Sequence, residues 1–201
     1  MPDRDMARVG RQMRTISTSF KVRESDKGEM IIDGYFAVFG ETYDLTDWMS
    51  ESIDAHAFDD ALDDDIRALT NHETTLVLGR TTNGTLILSV DEHGLRGIII
   101  INPKDSDAVN LYERVKRGDV NQCSFGFDIL DEEPITRVDG GYHWVIKKVK
   151  LWEVSCCTFP AYESTAIEAR SADAEKLKAR EVKTWRMRME DSHKWLKGET
   201  E

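Results

Sequence analysis

Three β-forming surroundings in this chain each hold one part of a hydrolytic site. His72 follows Asn71, Ser124 lies within Cys123-Ser124-Phe125-Gly126-Phe127, and Glu153 lies within Leu151-Trp152-Glu153-Val154-Ser155. An imidazole, a hydroxyl and a carboxylate can serve as base, nucleophile and orienter, and such a set is defined by geometry and roles rather than by chain order. The chemistry it supports is acyl transfer, as in a serine endopeptidase.

Ser124 has a rival beside it, since Cys123 could equally attack a carbonyl. Strand alternation separates the two. Cys123, Phe125 and Phe127 share one face, and two phenylalanines make that face core. Ser124, Gly126 and Asp128 fall on the other, where a glycine two residues after the serine predicts open space for a substrate. His72 is expected at a strand end or tight connection, partly buried yet open to a groove. His56, His93, His143 and His193 sit beside a helix start, in a hairpin turn, at a strand opening and in the tail. With an ordinary pKa near 6.5, His72 could take a serine proton at neutral pH and return it to a leaving amine. Alternation puts Glu153 on the face of Val149, Leu151 and Cys157, where a carboxylate is costly unless paired. Its partner is either a histidine N–H or a cation such as Arg80 or Lys147.

The elements that must position these residues are mostly strands. The pattern predicts strands over 31–39, 75–78, 85–90, 95–101, 122–129, 142–152 and 154–159. The third and fourth form a hairpin around Asp91-Glu92-His93-Gly94, and the run Ile98-Ile99-Ile100-Ile101 implies a strand covered on both faces. One helix is predicted from Ser106, read as its N-cap, to Gly118, with a Glu113–Arg117 pair on its surface. A shorter one is expected over Ala57–Leu62. Residues 1–20 read as a flexible arm, 21–170 as the folded domain and 171–201 as a charged, partly helical tail containing Trp185 and Trp195.

The chain has 201 residues and a net charge of −11, which argues against a general nucleic-acid binder. No stretch approaches the roughly 20 apolar residues of a membrane span, and the N-terminus does not read as a signal peptide. Cys123, Cys156 and Cys157 suggest no disulfide framework and point to a reducing compartment. The acidic run Asp59, Asp60, Asp63, Asp64, Asp65 lacks calcium-loop spacing, and the cysteines lack zinc-site spacing, so no metal and no cofactor is expected.

Taken together, a series of short segments resembles the prohead maturation proteases of tailed bacteriophages over about residues 30–170. They are Gly34-Tyr35-Phe36-Ala37-Val38-Phe39 with Tyr43-Asp44, Ala57-Phe58, Asn71-His72 leading to Leu78-Gly79-Arg80, Gly84-Thr85-Leu86, Gly94-Leu95, Val115-Lys116-Arg117-Gly118-Asp119-Val120, Ser124-Phe125-Gly126-Phe127, and Glu153-Val154-Ser155 leading to Thr158-Phe159-Pro160-Ala161-Tyr162. The resemblance implies a β-dominated α+β fold like that of the herpesvirus assembly proteases: a closed or nearly closed β-barrel surrounded by helices. It implies a Ser–His–acid site at Ser124, His72 and Glu153. By analogy with the herpesvirus enzymes, the oxyanion donors would be the backbone N–H groups of Ala161 and Tyr162, with Arg80 nearby. It further implies packaging inside the immature capsid in the host cytoplasm. The implied partners are the major capsid protein with its scaffold segment and other copies of this chain, with no nucleic acid and no membrane. The implied activity is cleavage of the scaffold segment and of the enzyme itself. Two positions depart from the family pattern: Cys123 replaces a small or aliphatic residue, and His56 replaces a glycine. Two other classes stay open, a non-catalytic capsid or scaffold component and a β-barrel binding module for a small ligand.

Overall fold

The computed structural model describes residues 11–17, 20–26, 28–159 and the helix at 164–197. The chain divides into two compact units, residues 1–163 and 164–201. The first unit runs β1 Gln12–Ser17, β2 Lys21–Glu24, β3 Met30–Val38, β4 Tyr43–Thr46, β5 Met49–Ile53, β6 Arg67–Thr70, β7 Glu73–Arg80, β8 Leu86–Val90, β9 Gly94–Ile100, α1 Ser106–Arg117, β10 Gln122–Thr136 and β11 Tyr142–Cys157. The second unit is α2, Ser164–Lys197, which exposes Val182, Trp185, Met187 and Met189.

The long hairpin of β10 and β11 organises the larger sheet. One edge of β11 pairs with β10 along nearly its whole length. The other edge takes two strands in series and in parallel, β5 against Tyr142–Ile146 and β6 against Glu153–Cys156. Between them a run of turns continues along β11, with Asp54 N–H bonded to the Ile146 carbonyl and Val149 N–H to the Ala57 carbonyl. β1 extends this sheet beyond β10, β4 beyond β5, and β7 beyond β6. The second sheet has the order β2-β3-β9-β8.

The two sheets do not close into a barrel, contrary to the architecture expected from the resemblance. Among the described residues no ladder joins an edge of one to an edge of the other. The reason is visible where β7 leaves for β8. A 3₁₀ turn at Thr81–Asn83, ended by Gly84 at φ 67°, carries the chain from one sheet to the other, so the two strands never run alongside as partners. Nor is the unit ringed by helices, because α1 is the one α-helix among its described residues.

Both sheets nonetheless share one core. Ile32, Phe36, Leu86, Leu95 and Ile99 from the smaller sheet meet Phe125, Phe127, Leu151 and Val154 from the larger, with Leu111 and Tyr112 of α1 against them. Phe125 stacks on Phe127 with centroids 4.7 Å apart and meets Phe58 edge-on at 5.7 Å. Truncating such a ring to alanine typically costs about 3–5 kcal/mol.

Several local expectations change. Residues 12–17, read as part of a flexible arm, pair with β10 as β1. Arg14 points to the Phe125 face and forms a buried ion pair with Glu51. Such burial is tolerable because the pair is also hydrogen-bonded, Arg14 Nη2 donating to Glu51 Oε2 at 3.0 Å. The stretch expected as a short helix over Ala57–Leu62 is a series of turns, although Ala57, Phe58 and Ala61 are core. The N-cap of α1 is Asp105, whose carboxylate accepts from Asp107 and Ala108 N–H, rather than Ser106. Arg117 turns to Asp119, and Gly118 ends the helix as expected. Ile99 and Ile101 are buried while Ile98 and Ile100 are half-buried, so that strand alternates after all.

Candidate active site

The β6–β7 connection is a two-residue turn, Asn71-His72, between the paired residues Thr70 and Glu73. Both turn residues have positive φ, 51° and 62°, the requirement of the tight hairpin turn whose twist matches its strands. Asparagine and histidine enter the left-handed region more readily than most side chains. The turn is tied down at the end of β11. Asn71 N–H donates to the Cys156 carbonyl at 3.0 Å, and the Asn71 side-chain oxygen accepts from Thr158 N–H at 2.8 Å. His72 N–H donates to Ser155 Oγ at 3.2 Å.

With its backbone so held, His72 turns its ring toward Glu153. Nδ1 lies 2.6 Å from Oε1, with side-chain exposures of 15% and 4%. A carboxylate only accepts, so Nδ1 donates to it and Nε2 is the ring nitrogen left to accept. The second carboxylate oxygen, Oε2, accepts from the Ser155 hydroxyl at 2.6 Å. The alternative cationic partners are engaged elsewhere. Arg80 forms a bidentate pair with Asp65 at 2.6 Å for both contacts, and its guanidinium holds the Asp65 carboxyl down at about 2. Lys147 pairs with Glu133.

Glu153 reaches this position through a bulge. Gly126 pairs with Glu153 but Phe127 pairs with Leu151, leaving Trp152 as an extra residue on β11. An extra residue inverts alternation beyond it. Leu151, Val154 and Cys156 therefore face the core, while Glu153, Ser155 and Cys157 share the opposite face. Simple alternation had grouped Glu153 with Val149 and Leu151, and the bulge corrects that grouping. Trp152 is held by an Nε1–H bond to Asp128 Oδ2 at 2.9 Å.

Ser124 lies directly across from Ser155 in the β10–β11 ladder, and so on the face of Glu153 and His72. Cys123 points into the core, its thiol directed at the Tyr35 carbonyl at 2.7 Å, as alternation predicts. The open space expected above Ser124 and Gly126 is absent. Ser124 is fully buried with its hydroxyl unpartnered, and the room left by Gly126 holds the Glu153 carboxylate.

The nucleophile-bearing side chain in contact with the histidine ring is Cys157 rather than Ser124. Cys157 Sγ lies 3.8 Å from Nε2. Burial, helped by the nearby Glu153 charge, pushes its thiol up to about 12, so it stays protonated near neutrality. Sequence reasoning missed this contact, the double role of Ser155 and the reason for Gly126, since the first two depend on where the β6–β7 turn meets β11 and the third on the bulge. The expected oxyanion donors Ala161 and Tyr162 lie outside the described residues. Among those described, no cluster of His, Cys, Asp and Glu is suited to a metal ion.

The structure joins His72 to Glu153 and places Ser124 on the same sheet face without a hydrogen bond to either, and comparison with known proteins specifies the family. Residues 18–180 match the family model described as Caudovirus prohead serine protease. The chain belongs to that family. This prohead protease is 31% identical over 166 residues to the prohead protease of Enterobacteria phage HK97, a match spanning 80% of this chain and 68% of that relative. Among solved structures, the bacteriophage T4 capsid assembly protease aligns with a TM-score of 0.49 at 10% identity, over 75% of this chain and 98% of the other. Membership makes the chain a protease of phage capsid maturation.

Proposed function

We propose that this prohead protease is a serine endopeptidase in which Ser124 is the nucleophile, His72 the general base and Glu153 its orienter. The observation that carries this reading is the 2.6 Å contact between His72 Nδ1 and Glu153 Oε1, on the sheet face that also bears Ser124. Glu153 fixes the tautomer that leaves Nε2 free to accept. As the Ser124 oxygen attacks the scissile carbonyl, its proton passes to Nε2, and the resulting imidazolium is stabilised by the carboxylate. Collapse of the tetrahedral intermediate returns that proton to the leaving amine. A water then repeats the sequence on the acyl-enzyme, releasing the new carboxyl terminus and restoring Ser124. The negative charge on the intermediate would be met by the backbone N–H groups of Ala161 and Tyr162. Burial that pushes the Cys157 thiol up to about 12 disfavours a standing thiolate and supports the assignment of attack to Ser124.

The substrates are the scaffold, or the scaffold-like N-terminal segment of the major capsid protein, and finally the enzyme itself. The reaction takes place inside the prohead, in the host cytoplasm. The test is incubation of the purified chain with its cognate capsid protein, with new termini mapped by mass spectrometry and Ser124→Ala in parallel. New termini confined to the capsid segment and the enzyme, absent with Ser124→Ala, are expected. No cleavage by the wild type, or equal cleavage by the variant, overturns the proposal.

A further inference from the structure

We infer that Ser155 is a positioning residue for the histidine–carboxylate pair, and that its hydroxyl sets both the aim of the base and the freedom of the nucleophile. The inference rests on the catalytic reading proposed above.

Ser155 is fully buried on β11, two residues beyond Glu153 and on the same face. Its hydroxyl has one proton and two lone pairs. The proton goes to Glu153 Oε2 at 2.6 Å, and a lone pair accepts His72 N–H at 3.2 Å. The contact of His72 Nδ1 with Glu153 Oε1 at 2.6 Å completes a ring. It runs from the His72 backbone through Ser155 to the carboxylate, and back to the His72 imidazole. Both ends of the histidine are thus referred to one carboxylate plane.

Neither half of the ring suffices alone. His72 sits at φ 62°, in the left-handed region, and the Ser155 oxygen helps hold it there by accepting from the amide. A carboxylate held only by the imidazole could rotate about its last bond. Occupation of the second oxygen removes that freedom, which is how a supporting hydrogen bond makes a site precise.

The ring also bears on Ser124. The two serines are cross-strand neighbours on one face, so Ser155 is a natural competitor for the Ser124 hydroxyl. Ser155 gives its only proton to Glu153, and the Ser124 hydroxyl carries no hydrogen bond. Oε1 and Oε2 each hold one partner, and neither is the Ser124 hydroxyl. The serine is kept available for Nε2.

The experiment compares full-length wild type with Ser155→Ala, Ser155→Cys and Ser155→Thr. Cleavage is measured on a peptide spanning a mapped capsid site. In a parallel series carrying Ser124→Ala, the low-field proton resonance of the imidazole Nδ1–H is recorded. Ser155→Ala is expected to lower kcat about 10- to 100-fold, the cost of a misplaced catalytic group, with KM within about threefold. The resonance should broaden or vanish while the melting profile stays cooperative. Ser155→Thr keeps the hydroxyl and is expected to recover most of kcat and the resonance. Should the alanine variant not fold, Ser155→Cys, of similar size but a weak donor, carries the same expectation. Unchanged kcat in a folded Ala or Cys variant, or an unchanged resonance, overturns the inference. A wild type that cleaves nothing while the resonance still depends on Ser155 removes the proposed catalysis but leaves the positioning role standing.

Discussion

Gly126 lies directly opposite Glu153 across the β10–β11 pair, and the Glu153 carboxylate occupies the space that a side chain at Gly126 would need. A Cβ there would collide with Oε1, the oxygen that accepts from His72. The glycine makes room for the Glu153 carboxylate.

Gly126→Ala should therefore fold but displace Glu153 from His72. We expect kcat to fall at least about tenfold, since small misplacements near reacting groups are costly. Kinetics paired with a melting curve check it, and near-normal kcat would show that the carboxylate has another way to seat.

The nucleophile is tested by three substitutions. Ser124→Ala should abolish cleavage. Cys123→Ala, which opens a small cavity in the core, should retain activity with a loss of stability of about 1–2 kcal/mol. Cys157→Ala should stay within several-fold of wild type. If it proves inactive, the thiol beside Nε2 has a part in the chemistry.

For the base and its orienter, His72→Ala should be nearly inactive because it removes proton transfer. Glu153→Gln should keep measurable activity, reduced by about 10²- to 10⁴-fold, because the amide is nearly isosteric but loses the charge and permits the wrong tautomer. Single-turnover rates on a mapped peptide distinguish the two.

Cys157 also links stability to pH. Its thiol stands at about 12 in the folded protein, raised by burial, against about 8.5 in an unfolded chain. The folded state keeps a proton that the unfolded state releases, so this contribution is whole below about 8.5 and is lost as pH rises toward 12. Melting temperature should decline over that window, and Cys157→Ala should flatten the decline. An identical slope in both would exclude Cys157 as its source.

The second unit supports a prediction about incorporation. α2 exposes Trp185, Val182 and Met189 on a strongly charged helix, a surface with the character of a docking face. Deleting residues from Ser171 onward should leave a folded enzyme that cleaves added substrate but enters proheads poorly. Normal incorporation, or loss of folding, would count against a docking role.

Much of this protein could be read from residue order. Alternation in Cys123-Ser124-Phe125-Gly126-Phe127 separates the core thiol from the serine, because two large apolar rings define a buried face. The hairpin of β8 and β9 and the stop of α1 at Gly118 follow from local turn and cap chemistry, which acts over a few residues. The separated segments bearing His72, Ser124 and Glu153 also point, by resemblance, to the family, and the structure brings His72 and Glu153 together. Other features depended on contacts between residues distant in sequence. The bulge at Trp152 reverses the facing of Glu153, and it arises from the register between β10 and β11. The strand made by residues 12–17 has little apolar pattern of its own, and it exists because β10 offers an edge and Glu51 a partner for Arg14. The failure to close a barrel likewise reflects strand pairing, since the chain passes from β7 into the second sheet at Thr81–Asn83 and leaves β7 and β8 unjoined. Patterns along a chain assign faces and turns, but register and edge occupancy are settled only when distant strands meet.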